Sequence, residues 1–269
     1  MATYKTPVIE QLFDARWDAT TRQLRNPFVT LEEVVEKISA YNAGHPLRQI
    51  STKNPANFFK DLVRSIEYAN KVWPVSVLHR GYTGAQQTSA GRCFVFLPLP
   101  PGATTAFIPI LPSPNLPIFP VSTLQIPTLA RALSRRDETW LMQVATRLQL
   151  IELHLSANSP HELIYVELLQ IGVKQNLAEI DALYMGHTKG GADVIITVEA
   201  KTKDDIYQGQ IVSQVLAVRS MKSLRPARID SVIPLAIKSI PRTGIFVVEF
   251  EAVHTAEPDP KELKVVAEA

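Results

Sequence analysis

The stretch Ala178–Gln214, AEIDALYMGHTKGGADVIITVEAKTKDDIYQGQIVSQ, decides how the rest of the chain is read. Two apolar runs flank a polar turn containing Gly190-Gly191. The first run carries Asp181, and the second ends in Glu199-Ala200-Lys201. Side chains alternate along a strand, so Ile195, Thr197, Glu199 and Lys201 share a face, as do Glu179, Asp181 and Leu183. A short turn between two such runs suits antiparallel pairing, which brings Asp181 beside Glu199. Downstream, Gln210 and Gln214 stand about one helical turn apart.

Outward from this stretch, the apolar spacing predicts strands at Leu163–Val173, Leu177–Met185 and Val194–Lys201. A helix is expected over Asp204–Ser220, with Ile206, Ile211, Val215 and Val218 on its apolar side. Strands Ser231–Ile240 and Gly244–Ala252 follow, joined by a turn at Pro241–Gly244. A long helix, Ser134–Leu155, precedes the first strand, with Leu141, Val144, Ala145 and Leu148 on its buried side. This order predicts an α/β fold around one mixed sheet flanked by helices, with Val194–Lys201 apolar enough to be central.

The first hundred residues read differently. Thr30 and Glu33 make a capping-box pattern ahead of Leu31, Val34, Val35 and Ile38. Asn54-Pro55 opens a second helix whose buried side is Phe58, Phe59, Leu62, Val63 and Ile66. A glycine-punctuated polar loop, Gly81–Arg92, leads into a strand at Cys93–Leu97. Two helices followed by such a loop suit a helical, winged-helix-like DNA-recognition region. Gln86, Gln87, Thr88, Ser89 and Arg92 offer donors to phosphates or base edges, and a polar hairpin without a ligand is the plain alternative. Nine prolines fall within residues 98–127, which excludes helix and central strand. The expected organisation is therefore a recognition region over 1–97, a Pro-rich connector over 98–127 and an α/β domain over 128–269.

Bulk properties bound the answer. With 46% hydrophobic and 20% charged residues the chain can bury a core, and a net charge of +2 permits a nucleic-acid partner without demanding one. Cys93 is the single cysteine, which rules out an internal disulfide and a four-cysteine zinc site and suits a reducing cytoplasm. No signal peptide is visible at the start, and no uncharged apolar run reaches membrane-spanning length, so no membrane span is expected. There is no GxxxxGK[ST] loop and no HExxH, so Lys189-Gly190-Gly191 reads as a turn and His161-Glu162 as the approach to a strand.

The chemistry suggested by the opening stretch follows from charge. Two carboxylates on neighbouring strand ends repel unless a cation lies between them. Mg2+ takes carboxylate oxygens, keeps some waters and accepts phosphate oxygens. Lys201 is placed to orient an attacking water or to stabilise developing negative charge.

The segment EIDALY…VIITVEAK…QGQ resembles the core of the PD-(D/E)xK nuclease superfamily, with Ile180 standing where the motif has proline. The resemblance implies a restriction-endonuclease-like mixed sheet. It also implies that Asp181 and Glu199 ligate Mg2+ (with Mn2+ able to substitute) and that Lys201 serves the water. An upstream acid completes such sites: Glu138 is preferred, and Glu152 and Glu167 are the other options.

In size and plan the chain is similar to the BisI-like restriction endonucleases, which cleave GCNGC when its cytosines are methylated. His254-Thr255 matches the family's pair of His or Arg followed by a small or β-branched residue, and Arg242 is available as a methyl-sensing arginine. That resemblance implies a type II, modification-dependent restriction enzyme acting on double-stranded DNA as a homodimer. Two other readings stay open: a non-catalytic DNA-binding or assembly protein with a nuclease fold, and a DNA repair or junction nuclease.

Overall fold

A computed structural model describes residues 4–60, 62, 65–89, 91–122, 126–133, 137–174, 179–260 and 262–269. Two compact units divide at Pro109/Ile110. The residues between Pro98 and Thr128, read from sequence as a connector, are shared between them. Phe107 is tied into the first unit by Asn70, whose side chain accepts from its N–H at 2.9 Å and donates to its carbonyl at 2.8 Å. The Ile110 N–H instead donates to the Ile206 carbonyl of the second unit at 3.1 Å.

The first unit contains α1 (Lys5–Asp14), the two-residue strands β1 (Trp17–Asp18) and β2 (Gln23–Leu24), and β3 (Phe28–Thr30). Next come α2 (Leu31–Gly44), α3 (Asn57–Lys60), α4 (Ile66–Val72), α5 (Val75–His79), β4 (Tyr82–Ser89) and β5 (Arg92–Pro98). Thr30 caps α2 through the expected capping box: its hydroxyl accepts from Glu33 N–H, and the Glu33 carboxylate accepts from Thr30 N–H at 2.7 Å. The helix expected after Asn54 is broken into α3 and α4, and α4 is restarted by Ser65 as N-cap. Arg64 and Val63, which the sequence placed on that helix, lie outside the described residues.

The glycine-punctuated stretch is not a loop. It forms β4, the edge of a three-stranded sheet ordered β3-β5-β4. Gly84 belongs in that strand because a Cβ there would run into the Phe94 ring, which itself stacks on Phe59 at 4.0 Å.

The second unit contains α6 (Thr128–Leu133), α7 (Glu138–Arg147), α8 (Leu150–Ala157), β6 (Leu163–Lys174), β7 (Glu179–Thr188) and β8 (Asp193–Lys201). It continues with α9 (Gln208–Ser220), β9 (Ser231–Ile240), β10 (Gly244–Phe250), β11 (Val253–His254) and β12 (Val265–Glu268). The sheet is seven-stranded and mixed, ordered β12-β10-β9-β8-β7-β6 with β11 beside β9. β6, β7 and β8 form an antiparallel meander, and β9 lies parallel to β8. The parallel pair needs a crossover, and α9 supplies it.

Both faces of the sheet are covered. Ile211, Val215 and Val218 of α9 pack with Leu183, Ile195 and Phe246 on one side. Leu141, Met142, Ile151 and Leu155 of α7 and α8 pack with Ala182, Tyr184 and Ile196 on the other. Burial on both faces explains the unbroken apolar run of β8.

Two expectations are corrected. The single helix expected from Ser134 to Leu155 is two helices, separated at Gln149, whose φ of 51° is left-handed. The break re-aims the chain so that Leu141 and Ala145, and then Ile151 and Leu155, all reach the sheet. Its expected first residues, 134–136, lie outside the described residues. The helix expected from Asp204 begins only at Gln208, because Ile206 is buried and Tyr207 is extended. Among the described residues no helix is long and apolar enough to cross a membrane.

Candidate active site

The β7–β8 ladder runs from His187↔Asp193 to Ala182↔Val198. One further step in that register sets Asp181 opposite Glu199. There the side chain replaces the ladder, and Asp181 Oδ2 accepts the Ala200 N–H at 2.7 Å. Glu199 is only 5% exposed and is held on both oxygens: Lys201 Nζ pairs with Oε1, and Gln214 Nε2 donates to Oε2. Gln214, on the second turn of α9, is itself buried and also reaches the Glu179 carbonyl at 3.5 Å. Glu138 opens α7, and its Oε1 accepts from the Thr202 hydroxyl at 3.0 Å, just past the end of β8.

Burial dominates the electrostatics. It pushes the Asp181 carboxyl up; the Ala200 N–H and Lys201 pull it down, while Glu179 and Glu138 push it further up. Burial drives Glu199 to about 7, with Asp181 and Glu138 adding to the rise and Lys201 restraining it. For Lys201, burial disfavours the charged amine, but Glu199, Asp181 and Asp204 outweigh it and its pKa is raised.

A carboxyl whose folded pKa lies above its unfolded value contributes stability below the unfolded value and loses it as pH rises through the folded one. Glu199 therefore lowers stability progressively between its ordinary 4.5 and about 7. Glu199→Gln is expected to flatten that limb of the curve, measured in metal-free buffer as the thermal midpoint from about pH 4 to pH 8. Equal slopes for variant and wild type would sink this account of Glu199.

Among the described residues no group of three His, Cys, Asp or Glu side chains is arranged to hold a metal by itself. The donor set at this site is a carboxylate pair, Asp181 and Glu199, with Glu138 close enough to raise both. Among the described residues Lys201 is the amine whose charge offsets both, against three carboxyls. An all-oxygen pair of this kind fits Mg2+, which uses one or two carboxylates and completes its shell with water and phosphate.

The other upstream acids stand elsewhere. Glu152, on α8, is half-buried near Tyr184 with one oxygen unpaired, and burial pushes its carboxyl up. Glu167, on β6, is exposed, sits across from Met185 rather than Asp181, and accepts the Tyr165 hydroxyl at 2.7 Å. Gln210 is half-buried, and its Oε1 has no partner among the described residues.

The expected recognition residues are dispersed over both units. Gln86 is half-buried on β4 opposite Phe94, and the Gln87 side chain lies outside the described residues. The Arg92 guanidinium stacks 3.9 Å from the Phe28 ring centroid. Arg242 is exposed in the β9–β10 turn with a φ of 64°. His254 Nδ1 lies 3.2 Å from Asp230 Oδ2. The Thr255 hydroxyl donates to the carbonyls of Ile229 at 2.9 Å and Asp230 at 3.1 Å.

Sequence reasoning missed Thr202, which holds Glu138, and Tyr207, whose buried hydroxyl has no partner among the described residues and lies close enough to Glu199 to feel its charge. It also missed a second polar centre. Glu249, on β10, is fully buried; its Oε2 lies 3.1 Å from His154 Nε2, and its Oε1 accepts from the Ser159 hydroxyl at 2.7 Å and stands 3.7 Å from His161 Nε2. Cys93 carries no chemistry here, since burial pushes its thiol up to about 12. No family model matches the chain, and neither a curated protein nor a solved structure matches it.

Proposed function

We propose that this chain is a Mg2+-dependent endodeoxyribonuclease of the PD-(D/E)xK superfamily, of type II restriction character. The observation that carries the reading is the convergence of Asp181, Glu199 and Lys201 at the shared end of β7 and β8, with Gln214 on the acid and Glu138 beside it. The order of elements supports it: helix, three-stranded antiparallel meander, helix, parallel strand.

Asp181 and Glu199 would hold the cation, and Glu138 adds negative charge from α7. Bound Mg2+ supplies a water of lowered pKa and neutralises charge on the phosphate. Lys201, at the end of β8 beside both acids, would orient the attacking water and stabilise the charge that develops on the phosphate. Gln214 would hold Glu199 in place through its other oxygen. Ala200 N–H holds Asp181 with one oxygen engaged and the other available.

Specificity is proposed to lie outside this centre, with 5-methylcytosine in a GCNGC-like site as the mark that is read. Thr255 supports this in a particular way. Its hydroxyl is spent on two backbone carbonyls, which leaves its methyl as the group for contact, and a 5-methyl group in the major groove calls for an apolar contact. His254 sits beside it, about half exposed, so its ring would be able to meet a base edge or phosphate. Matched plasmids, unmodified and cytosine-methylated at GCNGC, test the whole reading. With Mg2+ present, the methylated plasmid is expected to be cut at least about tenfold faster, and chelation stops both reactions. Equal cutting of the two plasmids removes methylation dependence; gel-shift without cleavage across several metals favours the non-catalytic alternative.

A further inference from the structure

The second unit buries several polar side-chain atoms that have no partner among the described residues, and three of them belong to one stretch of chain. They are the Tyr207 hydroxyl, Gln210 Oε1 and Gln214 Oε1. Tyr207 stands just before α9, and the two glutamines lie within it. Their spacing of three and then four residues sets them along one side of the helix. The neighbouring side, Ile211, Val215 and Val218, packs against the sheet. The polar side therefore runs beside the core: Tyr207 is 6% exposed and Gln214 1%. Buried polar atoms are almost always hydrogen-bonded, so three orphans on one side of a helix call for a shared partner.

That side meets the acids at the end of β8. The same Gln214 amide whose oxygen is unpaired donates from Nε2 to Glu199. Burial, followed by the charges of Glu199 and Asp204, pushes the Tyr207 hydroxyl up, so it stays a neutral O–H. These atoms define what their partner must offer. An amide oxygen only accepts, and a hydroxyl accepts as readily as it donates. Carboxyls stand close by. The partner therefore brings several donors together with positive charge. A phosphate brings neither. A hydrated divalent cation brings both, because Mg2+ gives up its waters reluctantly and those waters turn their hydrogens outward.

We infer that Tyr207, Gln210 and Gln214 accept hydrogen bonds from the water shell of a divalent cation at Asp181 and Glu199. This rests on the cation site proposed above and assigns it a second layer: the acids supply charge, and α9 supplies acceptors. Tyr207 and Gln210 are then positioning residues, acting through those waters.

Thermal midpoints of the full-length protein, first in chelator and then across a Mg2+ titration, test this without cleavage as the readout. The wild type is expected to gain stability as Mg2+ binds. Tyr207→Phe and Gln210→Met are each expected to need about tenfold more Mg2+ for the same gain, the usual effect of losing a group just outside the ligands. In chelator the order differs: Tyr207→Phe removes an unpaired hydroxyl and should melt at or above the wild type. A midpoint lowered in chelator with an unchanged Mg2+ requirement marks a structural hydroxyl and overturns the inference. Spermidine that matches Mg2+ in stabilising the wild type also overturns it, by assigning the acceptors to an amine.

Nicking of supercoiled plasmid separates this from the catalytic reading. Variants that keep the wild-type Mg2+ requirement, in an enzyme that nicks, remove the second layer alone. A wild type that gains stability with Mg2+, loses that response in both variants and never nicks leaves the layer standing and removes the nuclease. A wild type indifferent to Mg2+ overturns the inference, and nicking then judges the nuclease by itself.

Discussion

Asp181→Ala and Lys201→Ala are each expected to reduce Mg2+-dependent DNA cleavage by a thousandfold or more while leaving DNA binding nearly intact. The reason is that, on the proposed reading, each side chain acts in the chemical step, and neither lies in the packed core of the sheet. Asp181 accepts one backbone N–H, and its removal exposes that group at a strand end where water can replace the acid. Lys201 is 13% exposed and pairs with Glu199. Losing one positioned electrostatic group at a reacting centre typically costs two to three orders of magnitude, and removing a cation ligand adds to that. The two variants differ in one respect. Lys201→Ala leaves Glu199 buried without its amine, which raises its carboxyl further, so this variant should bind Mg2+ more weakly at pH 6 than at pH 8 (values of about this order, set by the Glu199 titration). Single-turnover cleavage and calorimetric Mg2+ titration measure both effects. Wild-type rates in either variant would remove these residues from the mechanism.

The second large effect is on stability. His154→Leu is expected to cost the second unit about 3 kcal/mol, because it strips the fully buried Glu249 of its buried imidazole partner. Ser159 and His161 remain, but one is a neutral hydroxyl and the other stands 3.7 Å away. Replacing both members, as His154→Leu with Glu249→Leu, removes the unpartnered buried carboxyl together with the imidazole and should recover most of the loss. Denaturant unfolding of the three variants decides the matter: a single variant within about 1 kcal/mol of wild type would mean that the buried pair is structurally neutral.

Much of the second unit was legible because its signals are local. The β7–β8 turn is short, the strands keep a two-residue period, and Ser231–Ile240 is bounded by Asp230 and Pro241, so the meander and its register follow from the chain itself. Asp181, Glu199 and Lys201 could be brought together from alternation and that one turn. The break at Gln149 was not legible, since glutamine is a good helix former and only the need to face both Leu141 and Leu155 inward forces the left-handed turn. β4 was misread as loop because Gly84 resembles a breaker, whereas here its missing side chain makes room for Phe94. The choice of Glu138 over Glu152 turns on Thr202, which no pattern marks. The His154–Glu249 pair joins residues 95 apart and has no sequence signature at all.

The pairing of β8 with β9 has a consequence in time. Strands β6, β7 and β8 are neighbours in sequence, and closing their short connections costs little chain entropy. β9 reaches β8 only after the chain has run through α9, so this parallel pairing closes a much larger loop and is expected to form later. The acid pair and its lysine lie wholly in the early part, whereas the glutamine that clamps Glu199 arrives on the crossover. On that order the cluster of charge is expected to gather while it is still open to water and to be sealed when α9 docks. A nascent chain following this order solvates its most costly side chains until the last large step of folding has a partner ready for them.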